Sequence, residues 1–128
     1  MSGPALITAF FWIYFINAIL LIAHEIDSAY WKEWELFKIP GGLTAFLLLH
    51  IPILFGIIFG LVAIEKYPIT SYALSFLVCF GGFFAFTIHT IFLKKGRDEF
   101  KKPISIILLI AILFISICQS ILTILVIL

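Results

Sequence analysis

The chain has 128 residues, of which 64% are hydrophobic and only 12% are charged. Soluble globular domains are about 45–50% apolar and about 25% charged, so this composition excludes a soluble globular protein and predicts an integral membrane protein. The formal net charge of +1 is too small, and the basic residues are too few, to indicate a nucleic-acid partner.

The first predicted element is a membrane-spanning helix at about residues 5–24. This run is almost entirely apolar, and about 20 apolar residues, with a rise of about 1.5 Å each, cross a hydrocarbon core of about 30 Å. The alternative is a secretory signal peptide, which carries a basic segment before its apolar core. Residues 1–4 contain no Lys or Arg, so we expect a span that is retained.

A short interfacial helix is predicted at about residues 26–38, between the first two spans. Its apolar and aromatic residues recur at three- and four-residue spacing, which is typical of one helical face. Trp31 and Trp34 suit the headgroup level of a bilayer, because one end of the indole ring is apolar and the other can donate a hydrogen bond. We therefore expect this segment to lie on the membrane surface.

Three further spans are predicted at about residues 43–64, 69–93 and 104–128, and a proline stands just before two of these runs. Lipid offers no hydrogen-bond partners to the backbone, so apolar runs of this length should be helical. The sequence thus predicts an all-α fold and a single domain, residues 1–128. This domain is an integral membrane four-helix bundle with a short interfacial helix between spans 1 and 2.

Small and polar residues in the spans indicate how the helices pack. Gly56 and Gly60 form a GxxxG pair, which lets helix backbones approach closely. Gln119 is interpreted as a hydrogen-bonding residue between helices rather than as a site residue. Pro52 lies two residues after His50 and cannot donate to the carbonyl four residues before it. A kink and a free acceptor are therefore expected beside this histidine.

The distribution of Lys and Arg predicts the orientation of the chain. Seven of the eight basic residues belong to the first and third loops, and Lys66 alone lies on the opposite side. Loops rich in Lys and Arg stay in the cytoplasm. We therefore expect a multi-pass protein of a cell inner membrane, with loops 1 and 3 cytoplasmic and both termini external.

All three histidines are predicted to lie in the cytoplasmic half of the bundle. His24 ends the first span, whereas His50 lies roughly 12 Å and His89 roughly 7 Å into the membrane. Ionisable groups inside a bilayer are rare and normally face the interior of a bundle. We expect the three imidazoles to meet in one polar cluster with Glu25 and Asp27, which follow His24 in the sequence.

This cluster is a candidate site for zinc or iron. Imidazole nitrogens suit these metals, and carboxylates complete a coordination shell or act as a general base. The expected metal ligands are His24, His50, His89 and Asp27, and the expected catalytic groups are Glu25 and Asp27. The alternative is a solvated rim, because polar side chains at the edge of a span can reach water without any further role.

The residues around the first loop carry a family resemblance. They comprise "HEID" at the end of the first span, then "YWKEWELF", "PGG" and a histidine in the second span. Over roughly residues 23–52, and in its four-span layout, the chain resembles the uncharacterised small bacterial membrane proteins that include the HXXEE-motif group. The resemblance implies a fold and a site in this region, but no reaction.

Two classes of function fit these observations. The first is a non-catalytic subunit or oligomeric membrane component, with the polar cluster in its cytoplasmic half. Its partners would be the lipid bilayer and either further copies of the chain or a larger membrane complex. The second is a metal-dependent membrane enzyme of the hydrolase type that uses the cluster. A small transporter or channel is a further alternative. The chain has no nucleophile elbow and no phosphate-binding glycine loop, so neither covalent catalysis nor nucleotide use is expected.

Overall fold

A computed structural model describes residues 3–128, and within this range the chain forms helices and no strands. The helices are α1 (Pro4–Tyr30), α2 (Glu33–Leu36), α3 (Gly42–Lys66), α4 (Pro68–Lys94) and α5 (Pro103–Ile127). A proline opens α1, α4 and α5, where its fixed φ suits the first turn and its missing N–H costs no hydrogen bond. The predicted all-α fold is confirmed.

Four of these helices, α1, α3, α4 and α5, are long and apolar enough to cross a membrane. They contain 25 or 27 residues each, which corresponds to about 37–40 Å of helix. The chain therefore has the four membrane-spanning helices of a small multi-pass membrane protein, and the predicted four-helix bundle is confirmed.

The interfacial helix is only a short piece, and the predicted extent of residues 26–38 is wrong. Residues 26–30 continue α1, and only Glu33–Leu36 form α2. Lys32 has a φ of 52°, a left-handed conformation that ends the helical path and costs a non-glycine residue about 1–2 kcal/mol. This turn folds α2 back over the end of the bundle, where Leu36 is buried.

The helix packing leaves α3 at the edge of the bundle. Helix α5 packs along both α1 and α4, whereas α3 packs against α4 and touches α1 over a shorter stretch. Gly60 allows the close approach of α3 to α1, since a Cβ atom there would collide with the Tyr14 side chain. The Tyr14 hydroxyl donates to the Ile57 carbonyl at 3.0 Å. Gly56, in contrast, faces open space, so Gly60 alone of the predicted GxxxG pair serves close packing.

A buried polar network ties α1, α4 and α5 together. The Asn17 amide donates to Gln119 Oε1 at 2.8 Å and to Ser116 Oγ at 3.1 Å. The Gln119 amide donates to Ser75 Oγ at 2.8 Å, and the Ser75 and Thr123 hydroxyls are 2.7 Å apart. All five side chains are fully buried. Gln119 therefore bonds to two neighbouring helices, while α3 takes no part in this network.

Candidate functional site

One end of the bundle carries the connections from α1 to α3 and from α4 to α5. We call it the basic end, because Lys32, Lys38 and the basic residues of 94–102 lie there. A cavity of about 400 Å³ lies between α1, α3 and α4 toward this end, with α2 as part of its wall. The polar residues that line the cavity are His24, Glu25, Glu33, His50 and His89. All three histidines of the chain thus face one space.

Three of these side chains have ligand atoms close enough to hold a metal ion. One ligand atom each from His24, Glu33 and His89 lies within 4.8 Å of the other two, and the Nε2 of His89 is 3.9 Å from Glu33 Oε1. The residues come from α1, α2 and α4. Zinc ligands lie about 2.0–2.2 Å from the ion, so the donor atoms would have to move closer together to bind one.

The imidazole nitrogens of this set have few hydrogen-bond partners among residues 3–128. His89 is 1% exposed and His24 is 3% exposed. Both nitrogens of His89 and the Nδ1 of His24 lack a partner, as does Oε2 of Glu33. A buried polar group without a partner costs about 1–3 kcal/mol. Coordination of a metal would remove this cost, so the donor atoms fit such an ion.

Glu33 is the one acidic residue of this set, and it lies outside the spanning helices. Burial raises the pKa of its carboxyl above the usual value, while a hydrogen bond from Ser28 and the nearby His50 imidazole act in the opposite direction. A bound cation would favour the carboxylate form. The charge of the Glu33 carboxyl therefore depends on the groups that bind beside it.

Phe100, from the connection between α4 and α5, covers the set at the basic end. Its ring centroid is 3.9 Å from that of His89 and 5.8 Å from that of His24. The residue is 1% exposed, and its φ of 64° is an unfavourable conformation for a bulky side chain. The ring excludes water from the two imidazoles, and its burial offsets the backbone strain.

Glu25 and His50 form a separate pair in the same cavity. The Nε2 of His50 is 2.6 Å from Glu25 Oε2, and its Nδ1 is 2.7 Å from the Phe46 carbonyl oxygen. The carbonyl can only accept, so Nδ1 carries a hydrogen. The short contact at Nε2 then requires one further proton between imidazole and carboxylate. The pair thus shares one proton and has no net charge.

Asp27 points away from this cavity. Its carboxylate accepts a hydrogen bond from Trp31 Nε1 at 3.0 Å, and it lines a separate depression beside Ser105 of α5. Because α1 remains helical through Tyr30, positions 25 and 27 lie about 200° apart around the helix axis. The structure therefore brings Glu25 together with the three histidines, but not Asp27.

A comparison with protein families identifies the relatives of this chain. The model of a family of unknown function, DUF6713, matches residues 10–126. The chain belongs to this family. No curated protein and no solved structure matches it. The DUF6713 match covers every residue of the cavity and agrees with the resemblance to uncharacterised proteins, but it does not show the HXXEE-motif group.

Glu33 is the residue of the metal-ligand set that the sequence did not single out. In the sequence it belongs to a pattern that predicts the polar face of a surface helix. Glu33 reaches His89 because the chain reverses at Lys32, and left-handed turns are normally marked by Gly or Asn rather than Lys. The one feature of the sequence that could have pointed to Glu33 is that an acidic residue lies within ten positions of His24.

Proposed function

We propose that this chain is a membrane protein that binds a divalent transition-metal ion, zinc or iron, through His24, Glu33 and His89. The observation that carries this proposal is the convergence of three donor atoms from three helices within 4.8 Å, two of them on buried histidines. Two imidazoles and one carboxylate form the donor set of several catalytic zinc sites and of many non-haem iron sites. In this proposal Glu33 replaces Asp27, the carboxylate ligand that we expected from the sequence.

The charges around the cavity support a divalent ion. A dication bound by two neutral imidazoles and the Glu33 carboxylate leaves one positive charge, which is costly in a region of low dielectric. The Glu25–His50 pair lies in the same cavity and shares one proton. Loss of that proton leaves one negative charge on the pair, which balances the site. His50 and Glu25 thus compensate charge rather than supply ligands.

A hydrolase-type reaction is the second candidate function, and the Glu25–His50 pair favours it. A carboxylate held next to a metal-binding set is the arrangement in which a general base works beside a metal. Glu25 would accept a proton from a group near the ion, and His50 would orient the carboxylate. The catalytic role that the sequence suggests for Glu25 is kept in this proposal, whereas that for Asp27 is not.

The same site suits a non-catalytic role as a component of an oligomer or of a larger membrane complex. The position of seven of the eight basic residues supports an inner-membrane orientation in which the basic end faces the cytoplasm. A transporter or channel is the weakest alternative. The buried polar network beyond the cavity consists of neutral side chains, such as Asn17 and Gln119, and offers no line of charge across the bundle.

The metal content of the purified full-length chain tests the proposal. The chain is loaded with zinc or ferrous iron in detergent, desalted and analysed for metal by mass spectrometry. The wild type should retain a stoichiometric amount of ion, and His89→Ala and Glu33→Ala should lose it. Leu49→Ala is the control, because Leu49 lines the same cavity but offers no ligand atom.

Two results would overturn the metal proposal. One is a wild-type chain that is folded, as shown by its melting curve, but retains no ion after loading with either metal. The other is an equal loss of metal in Leu49→Ala and His89→Ala. The mass of the protein in its native membrane distinguishes a complex component from an autonomous enzyme. A complex component should be found with other subunits, and an autonomous enzyme should not.

A further inference from the structure

A second cavity adjoins the first and extends toward the middle of the bundle. Its volume is about 380 Å³, and its lining is apolar apart from Glu25. Glu25, Ile53 and Gly81 line both cavities. The two spaces therefore share walls and form one groove along α3 and α4. The groove is polar at the basic end, where the histidines lie, and apolar in its deeper part.

Two glycines open this groove. A Cβ atom at Gly56 or at Gly81 would meet no atom within 4 Å, whereas one at Gly60 or Gly82 would collide with a neighbouring helix. Gly60 and Gly82 therefore serve close helix packing. Gly56 and Gly81 do not, and their missing side chains leave space that a larger residue would fill. Pro52, which stands inside α3, lines the same part of the groove.

We infer that the groove binds a single-chain amphiphile with a carboxyl head group. The apolar part is walled by segments that cross the membrane, so its natural neighbour is a lipid chain rather than water or a peptide. It extends along α4 from Leu74 to Gly81, about 10 Å at the helical rise. Its volume is at the lower end of the roughly 300–1,000 Å³ of small-molecule sites, which suits one alkyl chain and not two.

The polar end of the groove fits a carboxylate. His89 is 1% exposed, and its two nitrogens lack partners among residues 3–128. An anionic oxygen there would complete the coordination of the metal, and this part of the inference rests on the proposed function. A carboxylate also accepts hydrogen bonds from neutral imidazole. The groove thus offers a polar end to the head group and an apolar part to the alkyl chain.

Photolabelling of the full-length chain in phosphatidylcholine vesicles tests the inference. The probe is decanoic acid with a diazirine at the end of its chain, and the labelled residues are mapped by mass spectrometry with zinc present. Labels should concentrate on the less exposed groove residues of α4, Leu74 and Val78. Phosphatidylcholine with the same group on one acyl chain should instead label lipid-facing residues such as Ile58 and Val62, which are half exposed.

Two variants decide whether the label is specific to the groove. Gly81→Leu should abolish the labelling of α4 by decanoic acid, since its side chain would occupy the groove from a position where a Cβ atom meets no neighbour within 4 Å. Ala9→Leu places the same side chain at an exposed position on α1 and should leave the labelling unchanged. The inference is wrong if decanoic acid labels the chain in the pattern of phosphatidylcholine, or if the α4 labels persist in Gly81→Leu.

The zinc content of the same samples separates the two proposals. Gly81→Leu should retain the ion, because Gly81 lies outside the ligand set. Groove labelling without retained zinc would overturn the metal site and support the amphiphile, with imidazole holding its head group. Retained zinc with diffuse labelling would overturn the amphiphile and leave the metal site supported.

Discussion

At the scale of single residues, the environment of Glu33 decides how the proposed site responds to pH. Its side chain is 14% exposed, and burial raises the pKa of its carboxyl. In the metal-free protein this group therefore keeps its proton to a higher pH than an ordinary glutamate does. Its contribution to stability is present at low pH and decreases as pH rises through the raised pKa.

Metal binding should reverse this pH dependence. A metal ligand must be deprotonated, so binding displaces the proton of Glu33, and zinc affinity should increase as pH rises toward the raised pKa. Calorimetric titrations in two buffers of different ionisation enthalpy count the protons released. Glu33→Gln should release fewer protons than the wild type and bind zinc more weakly. Glu35→Gln is the control, because this glutamate is exposed on the same short helix; equal release by wild type and Glu33→Gln would contradict the prediction.

At the scale of helices, the sequence predicts the spans well and the segment between the first two poorly. The length of an apolar run is a property of the run itself, so all four spans can be read directly. The end of α1 and the direction of α2 depend on a left-handed residue, Lys32, that no local signal marks. Helix periodicity and depth placed the three histidines on one side of the bundle. The choice of Glu33 over Asp27 followed from that turn and was not predictable.

The polar network between α1, α4 and α5 should be the main polar contribution to the stability of the bundle. Gln119→Leu removes hydrogen bonds to Asn17 and Ser75 and leaves their buried groups without these partners. The free energy of unfolding should fall by about 1–3 kcal/mol. Thermal or denaturant unfolding in detergent measures the change. Thr8→Ala is the control, since the exposed Thr8 hydroxyl donates to the Pro4 carbonyl of its own helix; equal losses in the two variants would contradict this role for Gln119.

At the scale of the whole molecule, the loosely held α3 and the tightly joined α1, α4 and α5 give the bundle two different sides. The network and the close packing of Gly82 against Ser116 fix three helices, while α3 borders both cavities. A groove beside the least-anchored helix can admit a ligand with little repacking, because the remaining three helices keep their contacts. The proposed metal ligands lie on α1, α2 and α4, so α3 contributes no ligand to the site.

The orientation of the bundle determines which compartment supplies the proposed metal. With seven of the eight basic residues at the basic end, we predict that a reporter fused after Gly96 lies in the cytoplasm and one fused at Leu128 lies outside. Reporters that are active on only one side of the membrane measure this in cells. Replacement of Lys94, Lys95 and Arg97 by Gln should weaken the preference for this orientation, whereas Lys66→Gln should strengthen it.

The opposite location of both reporters would place the histidines, Glu33 and the polar mouth of the groove at the external face, where the ion would come from outside the cell. The fold and the ligand set would be unchanged, because both follow from contacts inside the bundle rather than from its direction.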